Sequence, residues 1–274
     1  MIPAKFNYQR AGSTDEALAA LAANGDEAKL IAGGHSLIPL LKLRLASPEL
    51  LIDIGEIGAL SYINDGGDHL AIGPATTHLA VAESDLVKAQ VPLLAAATAQ
   101  VGDPQVRNRG TIGGALAHGD PAADHPAVLL ALRGTFVVQG PVGEREIAAD
   151  DFFTGFLETA LAPDEMLTEI RVPKVPDARW SFQKFNRRAQ DWAIVGVAAL
   201  INNGQPGIGL VNMGSRPLRA AASEAAAAGG ASATDAAAVA ADGTTPPKDL
   251  NADADYRRHL AQVLVERALT EAGG

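Results

Sequence analysis

Two short stretches place paired glycines beside a hydroxyl: Ala32-Gly33-Gly34-His35-Ser36 and Thr111-Ile112-Gly113-Gly114-Ala115. Paired glycines reach positive φ and let backbone N–H groups converge on one concavity, which suits an anion. A helix starting beside the turn adds its partial positive charge. Ser36 and Thr111 each add a hydroxyl. Two such turns facing each other would hold a diphosphate without lysine or arginine. Neither stretch is a P-loop, because no Gly-Lys-Ser/Thr follows, and neither has the three-glycine spacing of a dinucleotide fingerprint. Glycine is also an ordinary turn residue. With 28 glycines in the chain, Gly66-Gly67 and Gly229-Gly230 read as plain turns, and each loop alone stays open to that reading.

Other residues carry weaker signals. His118, Asp120, Asp124 and His125 invite a metal reading, but their spacing matches no zinc template. A helix start at Asp120-Pro121 and Asp124 explains them better, and no metal is expected. His35 reads either as a contact to a cofactor or to a partner's cluster domain, or as a satisfied loop histidine. Arg107 and Arg109 flank the second loop and read as surface arginines, as charges steering toward a diphosphate, or as pairs for a partner subunit. No Ser-His-Asp order, nucleophile elbow or carboxylate pair stands out, so no catalytic residue is expected. These residues would hold a cofactor rather than make bonds.

Elements must aim the two loops. Ser13-Thr14-Asp15-Glu16 is a capping box, followed by Ala17, Leu18 and Leu21 at helical spacing and a stop at Asn24-Gly25. Residues 28–32 read as a strand running into the first loop, 36–45 as a helix and 50–54 as a strand. The first 55 residues are thus a small β-α-β-α-β unit. A strand at 70–72 leads to a helix capped by Thr76 or Thr77 and running to about 87. Another helix spans 92–102, and 103–110 reads as a long loop into the second glycine turn. Helices follow at 124–132 and from 150 to 154, with strands at 135–139 and 166–172. After a polar break at 173–179, residues 180–186, 193–201 and 208–213 read as an antiparallel sheet with a turn at Asn202-Asn203-Gly204. Residues 220–228 are an Ala-rich helix, and 231–249 are Ala/Thr/Pro-biased and read as partly mobile. Residues 253–272 form an amphipathic helix with Tyr256, Leu260, Val263, Leu264 and Leu269 on or near one face.

Composition narrows the classes. The 274 residues hold 22 Lys+Arg against 32 Asp+Glu, a net charge of −10, and no cysteine. Disulfides, thiolate-ligated zinc, thiol nucleophiles and cysteine-held clusters are therefore excluded on this chain. The acid excess argues against nucleic acid and against an anionic membrane surface. The longest apolar runs are far shorter than the roughly 18–20 residues of a membrane span. The N-terminus shows no basic region followed by an apolar run, so the cytoplasm is the expected location.

The loops also resemble a known family. Residues 32–36 followed by Leu37-Ile38-Pro39, and 111–114 followed by Ala117-His118-Gly119-Asp120-Pro121-Ala122-Ala123-Asp124, are similar to the FAD-binding medium subunits of the molybdenum hydroxylases, the xanthine oxidase family. Lys184-Phe185-Asn186-Arg187-Arg188-Ala189-Gln190-Asp191-Trp192-Ala193 resembles that family's third motif. Met1-Ile2-Pro3, the run 33–39 and Asp103-Pro104-Gln105-Val106-Arg107 resemble the aerobic carbon monoxide dehydrogenase type. The resemblance covers nearly the whole chain.

It implies an α+β fold. Two α/β subdomains of the PCMH type, about 1–55 and 56–177, make an FAD-binding domain over 1–177. A C-terminal antiparallel sheet with helices occupies 178–274. It implies roles as well. Ala32, Gly33, Gly34, His35 and Ser36, with Thr111, Ile112, Gly113, Gly114 and Ala115, would bind the FAD diphosphate and ribityl chain. Asp124 would hydrogen-bond the cofactor, Leu167 would give backbone contacts to the flavin ring, and Lys184 would lie near its pyrimidine end. Trp192 would pack near the ring, with a core position in the C-terminal sheet as the alternative. The family usually has Asn where this chain has Ala115, which implies weakened or rearranged binding.

The resemblance also implies partners: a large molybdenum-binding subunit and a small iron–sulfur subunit, assembled as a dimer of heterotrimers. The molybdenum cofactor and clusters would sit only on those chains. The acceptor would be a quinone or another carrier, with a peripheral place at the inner face of the membrane as a variant of the cytoplasmic one. Three alternatives stay open: the same subunit in a hydroxylase for an N-heterocycle or aldehyde, a non-catalytic assembly or nucleotide-binding module, and a stand-alone flavin oxidoreductase.

Overall fold

A computed structural model describes residues 1–273. The first unit contains β1 (Asn7–Arg10), α1 (Thr14–Asn24), β2 (Ala28–Ile31), α2 (Leu37–Leu43) and β3 (Leu50–Asp53). Its strands form a parallel sheet in the order β1-β3-β2. Ser13 caps α1 through a hydrogen bond from the Glu16 N–H at 3.1 Å, and the Glu16 carboxylate reaches back to the Gly12 N–H at 2.8 Å. Ala17 and Leu21 of α1 then pack with Ile52 and Ile54 in a small core.

The middle of the chain contains β4 (Ile63–Asp65), β5 (His69–Ile72), α3 (His78–Glu83), α4 (Asp85–Gln90), α5 (Pro92–Thr98), α6 (Pro104–Arg109), α7 (Ile112–His118) and α8 (Asp124–Ala131). It continues through β6 (Thr135–Gly140), β7 (Gly143–Ala148), α9 (Ala149–Phe152), β8 (Phe153–Gly155), β9 (Glu158–Thr159) and β10 (Met166–Pro173). Five strands lie in the order β4-β5-β10-β6-β7, all antiparallel. Phe136, Phe152 and Phe153 interlock at 4.3–6.0 Å between ring centres in the largest core.

The last third holds β11 (Arg179–Phe185), β12 (Val195–Asn202), β13 (Gln205–Val211), β14 (Leu218–Arg219), α10 (Ala221–Ala228), α11 (Ala233–Ala238) and α12 (Ala254–Gly273). Its strands form an antiparallel sheet in chain order. Both faces of that sheet are covered. Val195, Val197 and Ala199 pack with α12, while Ala198 and Leu200 join the core of the middle unit. On that side α8 lies directly on β13, because a Cβ at Gly209 would come within 1.9 Å of the Ala127 carbonyl oxygen.

Several local expectations need correction. Residues 103–110 are not a loop, because Asp103 caps α6 by accepting from the Val106 N–H at 2.9 Å and Pro104 opens it. The helix after Thr77 is two helices, broken at Ser84, whose hydroxyl caps the second. The helix expected at 150–154 is a single turn that passes into β8. Within 231–249, α11 buries Ala236 and Ala237 against α12. The buried stripe of α12 is shifted from the expected one. It keeps the expected Leu260, Leu264 and Leu269, adds Arg257, Ala261, Val265, Ala268 and Ala272, and leaves Tyr256 outside and Val263 half-buried.

Candidate functional site

A cleft of about 600 Å³ lies between the first unit and the middle one. Its first wall is the turn from β2 into α2. Gly34 takes φ +73°, which a side-chain-bearing residue rarely adopts. A Cβ on Gly33 would sit 2.0 Å from the Arg109 carbonyl oxygen, so only glycine lets the two loops touch. Among the described residues, the backbone N–H groups of Gly33, Gly34, His35 and Ser36 donate to no group of the chain. The Ser36 hydroxyl makes no cap bond.

The second wall is the start of α7. Thr111 caps it by accepting from the Gly114 N–H at 3.1 Å. The turn is stitched to the segment before α3: Ile112 N–H donates to Thr76 O at 3.0 Å, Gly113 N–H to Pro74 O at 2.9 Å and His78 N–H to Gly110 O at 2.9 Å. The free main-chain donors of the cradle are therefore those of 33–36; with the Ser36 and Thr111 hydroxyls they make a donor set that suits a diphosphate.

Of the residues singled out from sequence, 32–36, Thr111, Gly113, Gly114, Ala115 and Leu167 line this cleft together. Ile112 does not, since its side chain is fully buried in the core. Asp124 and Lys184 stand apart from the cleft lining and hold each other. Lys184 Nζ donates to Asp124 Oδ2 at 2.6 Å and to the Gln100 carbonyl at 3.0 Å, with the Asp124 and Lys184 side chains 6% and 4% exposed. Burial pushes the Asp124 carboxyl up, and the Lys184 charge opposes this. Its second oxygen, Oδ1, is buried with no protein partner. Trp192 is neither in the core nor in this cleft. It is 57% exposed, next to a smaller hollow lined by Gly102, Asp103, Val106 and residues 188–191. That hollow begins at the amino end of α6, and the cleft begins at its carboxyl end.

His78 carries no signal in the sequence. Its ring lines the cleft and stacks on His125 at 4.6 Å. His125 in turn meets the Thr98 hydroxyl at 3.1 Å. Burial lowers the His78 pKa to about 4, with His35 and Arg107 adding to the effect. Burial likewise holds His125 well below its ordinary value. Both rings are neutral at pH 7. Among the described residues no three His, Asp or Glu side chains are placed to hold a metal ion, and no helix is long and apolar enough to cross a membrane.

Comparison with known proteins follows the same lines. A family model described as the FAD binding domain in molybdopterin dehydrogenase matches residues 4–175. One described as the CO dehydrogenase flavoprotein C-terminal domain matches residues 180–272. The chain is 42% identical over 282 residues to the carbon monoxide dehydrogenase medium chain of Hydrogenophaga pseudoflava, covering 99% of this chain and 98% of that one. It is 36% identical over 277 residues to the nicotine 6-hydroxylase medium subunit of Paenarthrobacter nicotinovorans, covering 98% and 97%. The solved structure of the Hydrogenophaga pseudoflava carbon monoxide dehydrogenase lacking the Mo-pyranopterin moiety superposes with a TM-score of 0.94 at 43% identity, over 100% of this chain and 99% of that one.

Proposed function

The chain belongs to the family of FAD-binding medium subunits of the carbon monoxide dehydrogenase and molybdenum hydroxylase type, and on that premise we propose that it is the electron-transferring flavoprotein of a carbon monoxide dehydrogenase. The complex would include a large molybdenum-binding subunit and a small iron–sulfur subunit, as a dimer of heterotrimers. It would work in the cytoplasm or at the inner face of the membrane and pass electrons to a quinone. We place the domain division at residue 177, with subdomains about 1–55 and 56–177 and a C-terminal part over 178–274.

The observation that carries this reading is the main-chain cradle in which Gly33 approaches the Arg109 carbonyl without room for a Cβ. Bound FAD supplies the ability to take electrons singly and release them in pairs. This chain's residues bind and orient it. Backbone N–H groups of 33–36, with the Ser36 and Thr111 hydroxyls, would hold the diphosphate, while the N–H groups of 113–115, bonded within the chain, shape the facing wall. Leu167 backbone atoms, and the hollow formed by Gly102, Asp103, Val106 and 188–191 beside Trp192, would receive the ring. Lys184 would place a cation where negative charge develops, held there by Asp124. Ala115 offers no side-chain contact of its own, so binding falls to the free N–H groups of 33–36 and the two hydroxyls.

The test uses the assembled complex under anaerobic conditions. Carbon monoxide should bleach the flavin absorbance of this chain. Bleaching by an N-heterocycle or an aldehyde, and not by carbon monoxide, would move the assignment to the hydroxylase reading that the nicotine-hydroxylase relative favours. A purified complex without flavin absorbance would sink the cofactor assignment. A Gly33→Ala chain should assemble with little or no flavin, read as absorbance per mole of chain.

A further inference from the structure

Arg257 is the largest of the fully buried side chains. It heads the apolar stripe of α12, where an aliphatic residue would pack at lower cost. Its partners show what it does. Nη1 donates to the Ile194 carbonyl, and Nη2 donates to Asp249 Oδ2 at 2.7 Å. Asp249 also anchors the turn into α12, accepting from the Asn251 and Ala252 N–H groups at 2.8 and 3.0 Å.

Ile194 ends the connection between β11 and β12, and its N–H closes the base of that connection on the Phe185 carbonyl at 2.7 Å. The preceding carbonyl, of Ala193, is taken by Asn212 Nδ2 at 3.0 Å. On the outgoing leg, Arg187 Nη1 reaches Asn251 Oδ1 at 3.1 Å. At the tip Arg188 pairs with Asp191 at 3.0 Å. The tip has no core of its own. The incoming leg buries Ala193 and Ile194; beyond that, both legs are held by backbone and polar handles, and two of those handles lead to the 249–251 turn and Arg257. What the connection carries is Trp192 and one wall of the small hollow.

We infer that Arg257 is a positioning residue, fixing the Ile194 carbonyl from inside the core so that the 186–194 connection presents Trp192 and the hollow's wall to the flavin ring. This rests on the reading of Trp192 as ring-facing. Asp249 orients the guanidinium, and Asn212 holds the neighbouring carbonyl independently.

The experiment compares Arg257→Met, Arg257→Lys and Trp192→Ala in the assembled complex. It reads flavin visible circular dichroism, kcat for acceptor reduction, and the melting temperature. Displacing the connection by about 1 Å should lower kcat some 10- to 100-fold. R257M should change the flavin dichroism in the same sense as W192A, and R257K, which keeps a donor for Ile194, should recover most of both. A lower melting temperature in R257M with wild-type dichroism and kcat would make the role purely structural and overturn the inference. If W192A itself leaves both readings at wild type, the premise fails and the inference falls with it. Should R257M not assemble, Asp249→Asn takes its place: altered dichroism and a lowered kcat support the positioning role, and wild-type values of both overturn it.

Discussion

Lys184 and Asp124 lie 60 residues apart in sequence, and no local spacing could have paired them. The resemblance assigned each a place beside the cofactor; that they hold one another is a property of the folded chain alone. Removing one partner of a buried pair leaves an uncompensated charge. Lys184→Met should therefore cost about 3–5 kcal/mol, and Asp124→Asn on that background should recover a large part of it. Urea melts of the two single variants and the double variant would measure the coupling. His78 is silent in the sequence because Thr77-His78 reads only as a cap and a first helical residue. Its consequence is a pH dependence. In the unfolded chain its imidazole titrates near the ordinary value of 6.5; folded, it titrates at about 4. Between those values the unfolded chain binds the extra proton, so the stability from this group is complete above pH 6.5 and is lost as pH falls toward 4. The loss is about 3 kcal/mol, and His125 shifts in the same direction. Urea midpoints should fall between pH 7 and 4.5, and less steeply in His78→Gln.

At the level of elements, legibility followed how local the signal was. The capping box of α1 and the hairpin between β12 and β13 rest on adjacent residues, and both form as read. α6 does not show as a helix in the sequence because Arg107, Asn108 and Arg109 dilute any apolar period. The usable signals were Asp103 as cap and Pro104 at the first helical position. Leu260, Leu264 and Leu269 of α12 are buried as expected, but the centre of the stripe is shifted toward Ala261, Val265, Ala268 and Ala272, and a buried arginine at its head does not register as apolar. β13 shows the opposite case, in which a plain residue matters greatly. Gly207 and Gly209 face the Ala131 and Ala127 carbonyl oxygens of α8, where a Cβ would sit 2.2 and 1.9 Å away. Gly209→Ala should push α8 off the strand at a cost of about 3 kcal/mol. Gly204→Ala, in the open turn with φ +76°, should cost about 1–2 kcal/mol. Thermal melts of the two variants would rank them.

For the whole molecule, the order of three strand-and-helix groups and the C-terminal hairpin were legible, while strand order within the first two sheets was not. The placement of β10 between β5 and β6 depends on contacts between distant parts of the chain, as does the meeting of the two glycine loops. A chain ending at Asp177 should lose Ala198 and Leu200 from the largest core and bare the face of α8. Strong binding of a hydrophobic dye by that fragment, against none by the full chain, would show it. Strand β12 belongs to both sides: Val195, Val197 and Ala199 point into one core, and Ala198 and Leu200 into the other. A wall shared in this way ties the two cores into one melting unit, because neither can lose its order while the other keeps the strand. Calorimetry of the full chain should then record one heat-absorption peak for these two parts of the molecule, with equal calorimetric and van't Hoff enthalpies.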